Sequence, residues 1–184
     1  MKPEPMKKTF LFSVILFFAG SSLCLGQNLK LEYDSSRAHI QKNDFAGALP
    51  WLEKAKVSAK LNVKDTNSYV EIVKLMAVCY AKIGNVADAE MAFKEAIDLY
   101  SKMPSKKAQY ASTLQNFGIF YFNQKKYKEA EPVLVKAEQV KRESGSEKNS
   151  DYISILNYAA NLERLALPQV ATIAAAARTV LGRS

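Results

Sequence analysis

The chain reads as an all-α protein, a right-handed superhelical array of three to four antiparallel helical hairpins, and three observations predict it. Ala48, Ala89, Ala130 and Ala171 recur at a spacing of 41 residues. Ala55, Ala96 and Ala137 follow the first three by seven residues, and Phe45, Val86, Tyr127 and Pro168 precede all four by three. Within each period the apolar residues fall three and four apart, the spacing of a helix with one buried face. A copied unit of this length is one helical hairpin, which buries its apolar face only by stacking on its neighbours.

The elements follow in order. Residues 1–26 stand apart: Lys2, Lys7 and Lys8 precede the apolar run Phe10 to Ala19, and Gly26 offers a small residue before Gln27. This order is that of a secretory signal peptide, read here as cleaved near Gln27, because about ten apolar residues are short for a span of about 20. An uncleaved anchor extended through Leu23 and Leu25, and a lipid-modified Cys24, are the alternatives. The array then occupies residues 27–184, with hairpins over about 29–61, 69–103, 105–144 and 151–182.

The first hairpin is the most polar: Ser35, Ser36 and His39 fill places held elsewhere by larger or more apolar residues, so its opening helix reads as an end cap. In the second, Val73, Met76, Ala77 and Tyr80 form the opening stripe, Gly84 suits a left-handed helix end, and Val86, Ala89, Phe93 and Ala96 return. The third carries Leu114, Phe117, Gly118 and Tyr121, a helix end near Gln124, a turn at Lys125 and Lys126, then Tyr127, Ala130, Leu134 and Ala137. Small Gly118 and Ala130 predict a close approach of the two backbones. Pro50 and Pro132, each two residues after a repeat alanine, predict a bend tolerated near the start of the second helix. In the fourth unit Asp151 reads as an N-cap ahead of Ile155, Tyr158, Ala159 and Leu162. Its last helix, Gln169 to Leu181, is Ala-rich.

The 184 residues are 48% hydrophobic and 24% charged, ordinary for one domain. Loss of residues 1–26 removes three lysines and Glu4, a net +2, and leaves +6 of the +8. The charges alternate in sign and include no Lys/Arg tract interleaved with aromatics, so nucleic acid is not an expected partner. Only Cys79 remains after cleavage, which excludes an intrachain disulfide and makes packing the source of stability. Glycine-rich phosphate loops, Cys-x-x-Cys, His-Glu-x-x-His and Gly-x-Ser-x-Gly are all missing. With His39 as the sole histidine, neither a metal site nor a histidine base has support, so no cofactor, no metal and no catalytic residue is expected. Glu129 and Glu131, two apart on a helix, point to different faces.

The segment Lys126-Tyr127-Lys128-Glu129-Ala130-Glu131-Pro132, continuing to Ile155-Leu156-Asn157-Tyr158-Ala159, resembles the long-period tetratricopeptide repeats of kinesin light chains and of bacterial repeat proteins. The likeness covers about residues 29–166 and is strongest from 70 to 166. It implies that the first helices of successive hairpins line a concave groove, and that an asparagine ahead of the buried small pair contacts a bound peptide backbone. That residue is Asn116 in the third unit and Asn157 in the fourth, while the second departs from the pattern with Leu75. A groove gripping a peptide C-terminus is poorly matched, since Tyr33 and Arg37 replace the clamp groups. Helical geometry separately puts Glu71, Lys74, Val78 and Lys82 on one face, as it does Gln115, Ile119 and Asn123, then Ala160 and Arg164. This face is the candidate groove; the competing reading makes it an ordinary exposed helix face.

The expected function is that of an exported, non-enzymatic adaptor or scaffold. It would bind a peptide or protein segment in the periplasm, envelope or extracellular space of a bacterium. The alternative is a structural element that oligomerises through its Ala-rich last helix.

Overall fold

The computed structural model describes residues 28–61, 66–145 and 150–164, with Ala175. Residues 28–41 form α1. They are followed by α2 (Phe45–Leu61), α3 (Thr66–Lys82), α4 (Val86–Ser101), a 3₁₀ turn at Pro104–Lys106, α5 (Lys107–Asn123), α6 (Tyr127–Glu143) and α7 (Ser150–Glu163). Among the described residues there is no strand. The fold is all-α, an array of antiparallel helical hairpins. The signal segment 1–26 and, apart from Ala175, the last helix expected over Gln169–Leu181 lie outside the described residues. The chain divides into two compact units, Met1–Ile72 and Val73–Ser184.

The turns repeat as closely as the helices. Asn43, Gly84 and Lys125 stand 41 apart and all have positive φ, at 58°, 80° and 58°. In each turn the next amide donates back to a carbonyl five residues earlier: Asp44 to His39, Asn85 to Tyr80 and Lys126 to Tyr121, all at 2.9 Å. This is the Schellman closure, in which one left-handed residue lets orphan carbonyls at a helix end find donors. The following helix starts at once, and the side chains of Asp44 and Asn85 cap it by accepting from the amides of Gly47 (2.9 Å) and Asp88 (3.4 Å). Lys126, at the equivalent place, gives no such cap.

Within the first unit α1 and α2 bury Leu29, Ala48, Leu52, Ala55 and Ala59. The polar opening helix satisfies itself locally: Ser36 Oγ donates to the Tyr33 carbonyl at 2.6 Å, and Ser58 Oγ on α2 donates to Glu32 on α1 at 2.7 Å. His39 is not packed as a substitute for Tyr80. Its side chain is more than a third exposed, and Nδ1 lies 2.7 Å from Asp44 Oδ2. A histidine is too short and polar for the tyrosine's place and turns to the capping carboxylate instead.

In the second unit the small residues do what their period predicts. Ala89, Ala96, Ala130 and Ala137 are fully buried, and Gly118 lies so close to α6 that a Cβ there would stand 2.5 Å from Leu134 Cγ. Ala111, Leu114, Ala137, Val140 and Ile155 form one core cluster joining α5, α6 and α7. Phe93 on α4 stacks on Phe117 at 5.3 Å and meets Phe120 at 5.7 Å, which ties α4 to α5. Cys79 is buried, and burial pushes its thiol up to about 11, so it is a protonated filler at neutral pH. Asp151 falls inside the first turn of α7, which begins at Ser150, so it is not the N-cap. An acidic residue is favoured in a helix's first turn by the dipole as well as at the cap, so its identity alone does not fix the boundary.

A polar staple also joins successive hairpins in this unit. Glu90 on α4 accepts from Lys94 Nζ (2.7 Å), Tyr121 Oη (3.0 Å) and Lys126 Nζ (3.2 Å). These hydrogen bonds, that from Lys94 foremost, hold the Glu90 carboxyl down to about 2, while burial and the Glu90 contact push the Tyr121 phenol up.

Three outcomes are expected. Gly118→Ala lowers stability by about 1–3 kcal/mol in urea titration despite the better helix propensity of alanine, because fully buried Leu134 has nowhere to retreat. Lys125→Gly raises it by about 0.5–1 kcal/mol by relieving a left-handed lysine. Glu90 has a folded-state pKa below its unfolded value near 4.5, so its contribution is complete above that pH and is lost as pH falls toward about 2. Glu90→Gln therefore costs about 1–2 kcal/mol near pH 6, and its melting curve converges on that of the parent protein as the solution is acidified.

Candidate partner-binding groove

The second half of α3 and the second half of α5 approach each other beside Phe93 of α4. Between them opens a cavity of about 190 Å³, lined by Val78, Ala81 and Lys82 from α3, Phe93 from α4, and Asn116, Ile119, Phe120, Asn123 and Gln124 from α5. Five residues of the sequence-predicted face, Val78, Lys82, Asn116, Ile119 and Asn123, thus come together at one site. Helical spacing explains the grouping. Val78 and Lys82 are one turn apart, as are Asn116 with Ile119 and Ile119 with Asn123.

The cavity has an apolar floor and a polar rim. Phe93 is fully buried and Phe120 nearly so. Asn116 and Ile119 are half-buried, while Lys82, Asn123 and Gln124 are exposed. Among the described residues the amides of Asn116 and Asn123 have no intramolecular partner. Each brings one acceptor and two donor hydrogens to the rim. Such a site can hold an apolar side chain below and hydrogen-bond a main chain above. It has no nucleophile or acid–base pair, and among the described residues no three His, Cys, Asp or Glu side chains gather where they could hold a metal ion.

The other predicted residues fall elsewhere. Gln115 is a correction: it is only 6% exposed, and its Oε1 is buried without a hydrogen-bond partner. One residue is about 100° of helix rotation, which is enough to carry Gln115 off the open face that Asn116 occupies. Lys74 is half-buried and already engaged with a partner. Glu71 belongs to the first unit, where, after burial itself, its charge is the main cause that raises the Tyr33 phenol. Asn157 is exposed on α7 and lines a second, shallower cavity with Ile153, Ser154, Tyr158 and Asn161. There Asn161 Nδ2 donates to the Asn157 carbonyl at 3.0 Å. Ala160 is half-buried and Arg164 exposed just past the helix end, and neither lines either cavity.

Sequence reasoning missed Phe93, Phe120, Gln124 and Ala81 as lining residues. Phe93 reads as core from its place on the returning stripe, and both phenylalanines are buried while also lining the cavity. The signal for Phe120 and Gln124 was their place one and two turns after Asn116, on the same stripe.

Comparison with known proteins agrees with this geometry. Residues 67–143 match the tetratricopeptide repeat family model. Among solved structures the chain is similar to BtubC (BKLC) from P. vanneervenii, with a TM-score of 0.67 and 16% identity over 88% of this chain and 71% of that one. It is also similar to a P. anserina kinesin light chain protein with nearly identical TPR-like repeats. There the TM-score is 0.64 and the identity 14%, over 85% of this chain and 77% of the other. The comparison with curated proteins returns no match. Residues 67–143 are therefore tetratricopeptide repeats, and the fold of the chain is the tetratricopeptide solenoid of kinesin-light-chain-like repeat proteins.

Proposed function

We propose that this chain is an exported, non-catalytic adaptor that holds an extended peptide or protein segment in the cavity between α3 and α5. Tetratricopeptide repeats generally mediate protein–protein interaction, and the observation that carries the narrower reading is the pairing of an apolar floor with asparagine amides that have no partner among the described residues. Asn116 and Asn123 are seven residues apart on one helix, about 10 Å along its axis. That distance is close to three residues of an extended chain at roughly 3.4 Å each. Two amides so spaced would bond main-chain groups at either end of a short stretch, while the Phe93, Ile119 and Phe120 surface takes a side chain between them. Main-chain recognition of this type tolerates varied sequences. Selectivity then falls to the floor and to Lys82 at the rim.

Absence of catalysis is part of the proposal, and it rests on the chemistry of the two reactive side chains of the repeats. His39 is occupied by Asp44, and Cys79 is held protonated in the core. Export is proposed from the leader alone, whose lysines and Phe10–Ala19 run have the order of a secretion signal. The alternative, self-association through the Ala-rich last helix, concerns residues outside the described structure.

The test is photo-crosslinking of the full chain in an envelope extract, followed by identification of captured proteins. Asn116→Ala combined with Asn123→Ala should cut capture by about tenfold while the helical circular dichroism and melting temperature stay unchanged. Undiminished capture would show that the partner binds elsewhere.

A further inference from the structure

The first hairpin carries an exposed apolar face that neither the array nor the groove uses. Leu31 is 63% exposed, Val57 60% and Leu61 62%, so half of the six exposed large apolar side chains among the described residues lie here. Two of them share one face of α2, and the hydrogen bond between Ser58 and Glu32 brings the turn of α1 that carries Leu31 beside it. Val57 and Leu61 are one turn apart on α2, and Val57 lines a shallow depression with Pro50, Glu53, Lys54, Ser58 and Glu32. Leu31 adjoins Glu32, whose carboxylate accepts from Ser58. Around this face stand exposed Lys30, Lys54 and Lys60, and Lys54 Nζ sits 4.8 Å from the centre of the Trp51 ring. Leucine and valine with lysines and the carboxylates Glu32 and Glu53 beside them, and an amphipathic tryptophan nearby, form a surface that can rest at the headgroup boundary of a bilayer with the long lysine stems turned to the polar side.

Position in the chain says which surface. The described part of α1 begins at residue 28, and the leader whose residues Phe10–Leu25 are apolar enough to enter a membrane precedes it in the sequence. Leu31 is therefore tethered within a few residues of any bilayer the leader occupies. The lysines suit anionic headgroups.

We infer that the outer face of the first hairpin, centred on Leu31, Val57 and Leu61, rests on an anionic lipid bilayer while the leader is inserted. The inference uses the export reading of the leader but not the groove, whose residues are all elsewhere, so either can fail alone. Lipid contact then limits how far the array strays from the membrane before the leader is cut, or permanently if it is retained.

The experiment uses the full chain with Cys24→Ser, in vesicles of phosphatidylethanolamine and phosphatidylglycerol containing nitroxide-labelled lipid. A fluorophore is attached to Glu53→Cys, beside the apolar face, or to Gln41→Cys, at the far end of the same hairpin; buried Cys79 stays unlabelled. Quenching at position 53 should exceed that at position 41 by about threefold or more. Leu31→Ser with Val57→Ser and Leu61→Ser should bring the two to the same level, with circular dichroism unchanged because all three side chains are exposed. Vesicles of phosphatidylcholine should give weaker quenching at 53. Equal quenching at 53 and 41, quenching indifferent to the serine changes, or a chain that stays unbound overturns the inference. So does concentration-dependent shielding of position 53 without vesicles, which would assign the face to a second copy.

Discussion

The constraint on which the rest of the structure depends is the close approach of helices at positions where the side chain is a methyl group or nothing. Gly118 against Leu134 is its extreme case, for a Cβ there would already overlap the leucine side chain. Ala89 and Ala130, one period apart, are buried to the same completeness. Because a larger residue at any of these points forces helices apart, the whole hairpin geometry is encoded in a few small side chains repeated every 41 residues. The larger apolar residues can vary around them, as Phe45, Val86 and Tyr127 do at one equivalent place.

The turns show how a repeat keeps its geometry while its chemistry drifts. The backbone asks for a left-handed residue and then an N-cap, and the first two turns answer with Asn43-Asp44 and Gly84-Asn85. The third answers with Lys125-Lys126, poor choices on both counts. Its backbone closure is nonetheless the same to within a tenth of an ångström. What offsets the loss is the reach of the second lysine, which lies 5.6 Å from the centre of the Tyr121 ring and bonds Glu90 on the preceding hairpin. A local cap has been exchanged for a bond between hairpins. His39 and Asp44 occupy the places of Tyr121 and Lys126 two repeats earlier, and they pair as well, through a hydrogen bond within their own turn.

How much of this was legible in the sequence follows from which features are periodic. Helix type, the hairpin turns, the left-handed Gly84 and the tight Gly118 crossing all derive from residues that recur or that only one geometry admits. The misplacements arose where a single residue departs from the pattern. Gln115 looks polar and surface-facing, yet its rotation about α5 carries it inside. His39 has the position of a packed tyrosine but the chemistry of a cap partner. Asp151 has the identity of an N-cap but sits one residue inside the helix. For the candidate site, the residues on the open stripe were readable from helical phase. Phe93 was not, because a side chain that is core on one edge and cavity floor on the other carries the same sequence signal as pure core, whereas Phe120 stands one turn after Asn116 on that stripe.

That double role explains why the repeat announces its fold so clearly and its partner so poorly. On α5, Leu114, Gly118 and Tyr121 face the partner helix and the staple, Phe117 and Phe120 meet α4, and Asn116, Ile119 and Asn123 turn to the open side. Stacking depends on the first two sets and hardly involves the third. The groove can therefore change its rim without disturbing a single crossing, and a floor built from core aromatics comes with any array that stacks. A binding surface assembled this way inherits its shape from the fold and its specificity from a handful of side chains that the fold does not dictate. What the proposed groove would take depends on the chemistry of those few positions and not on the repeat that presents them.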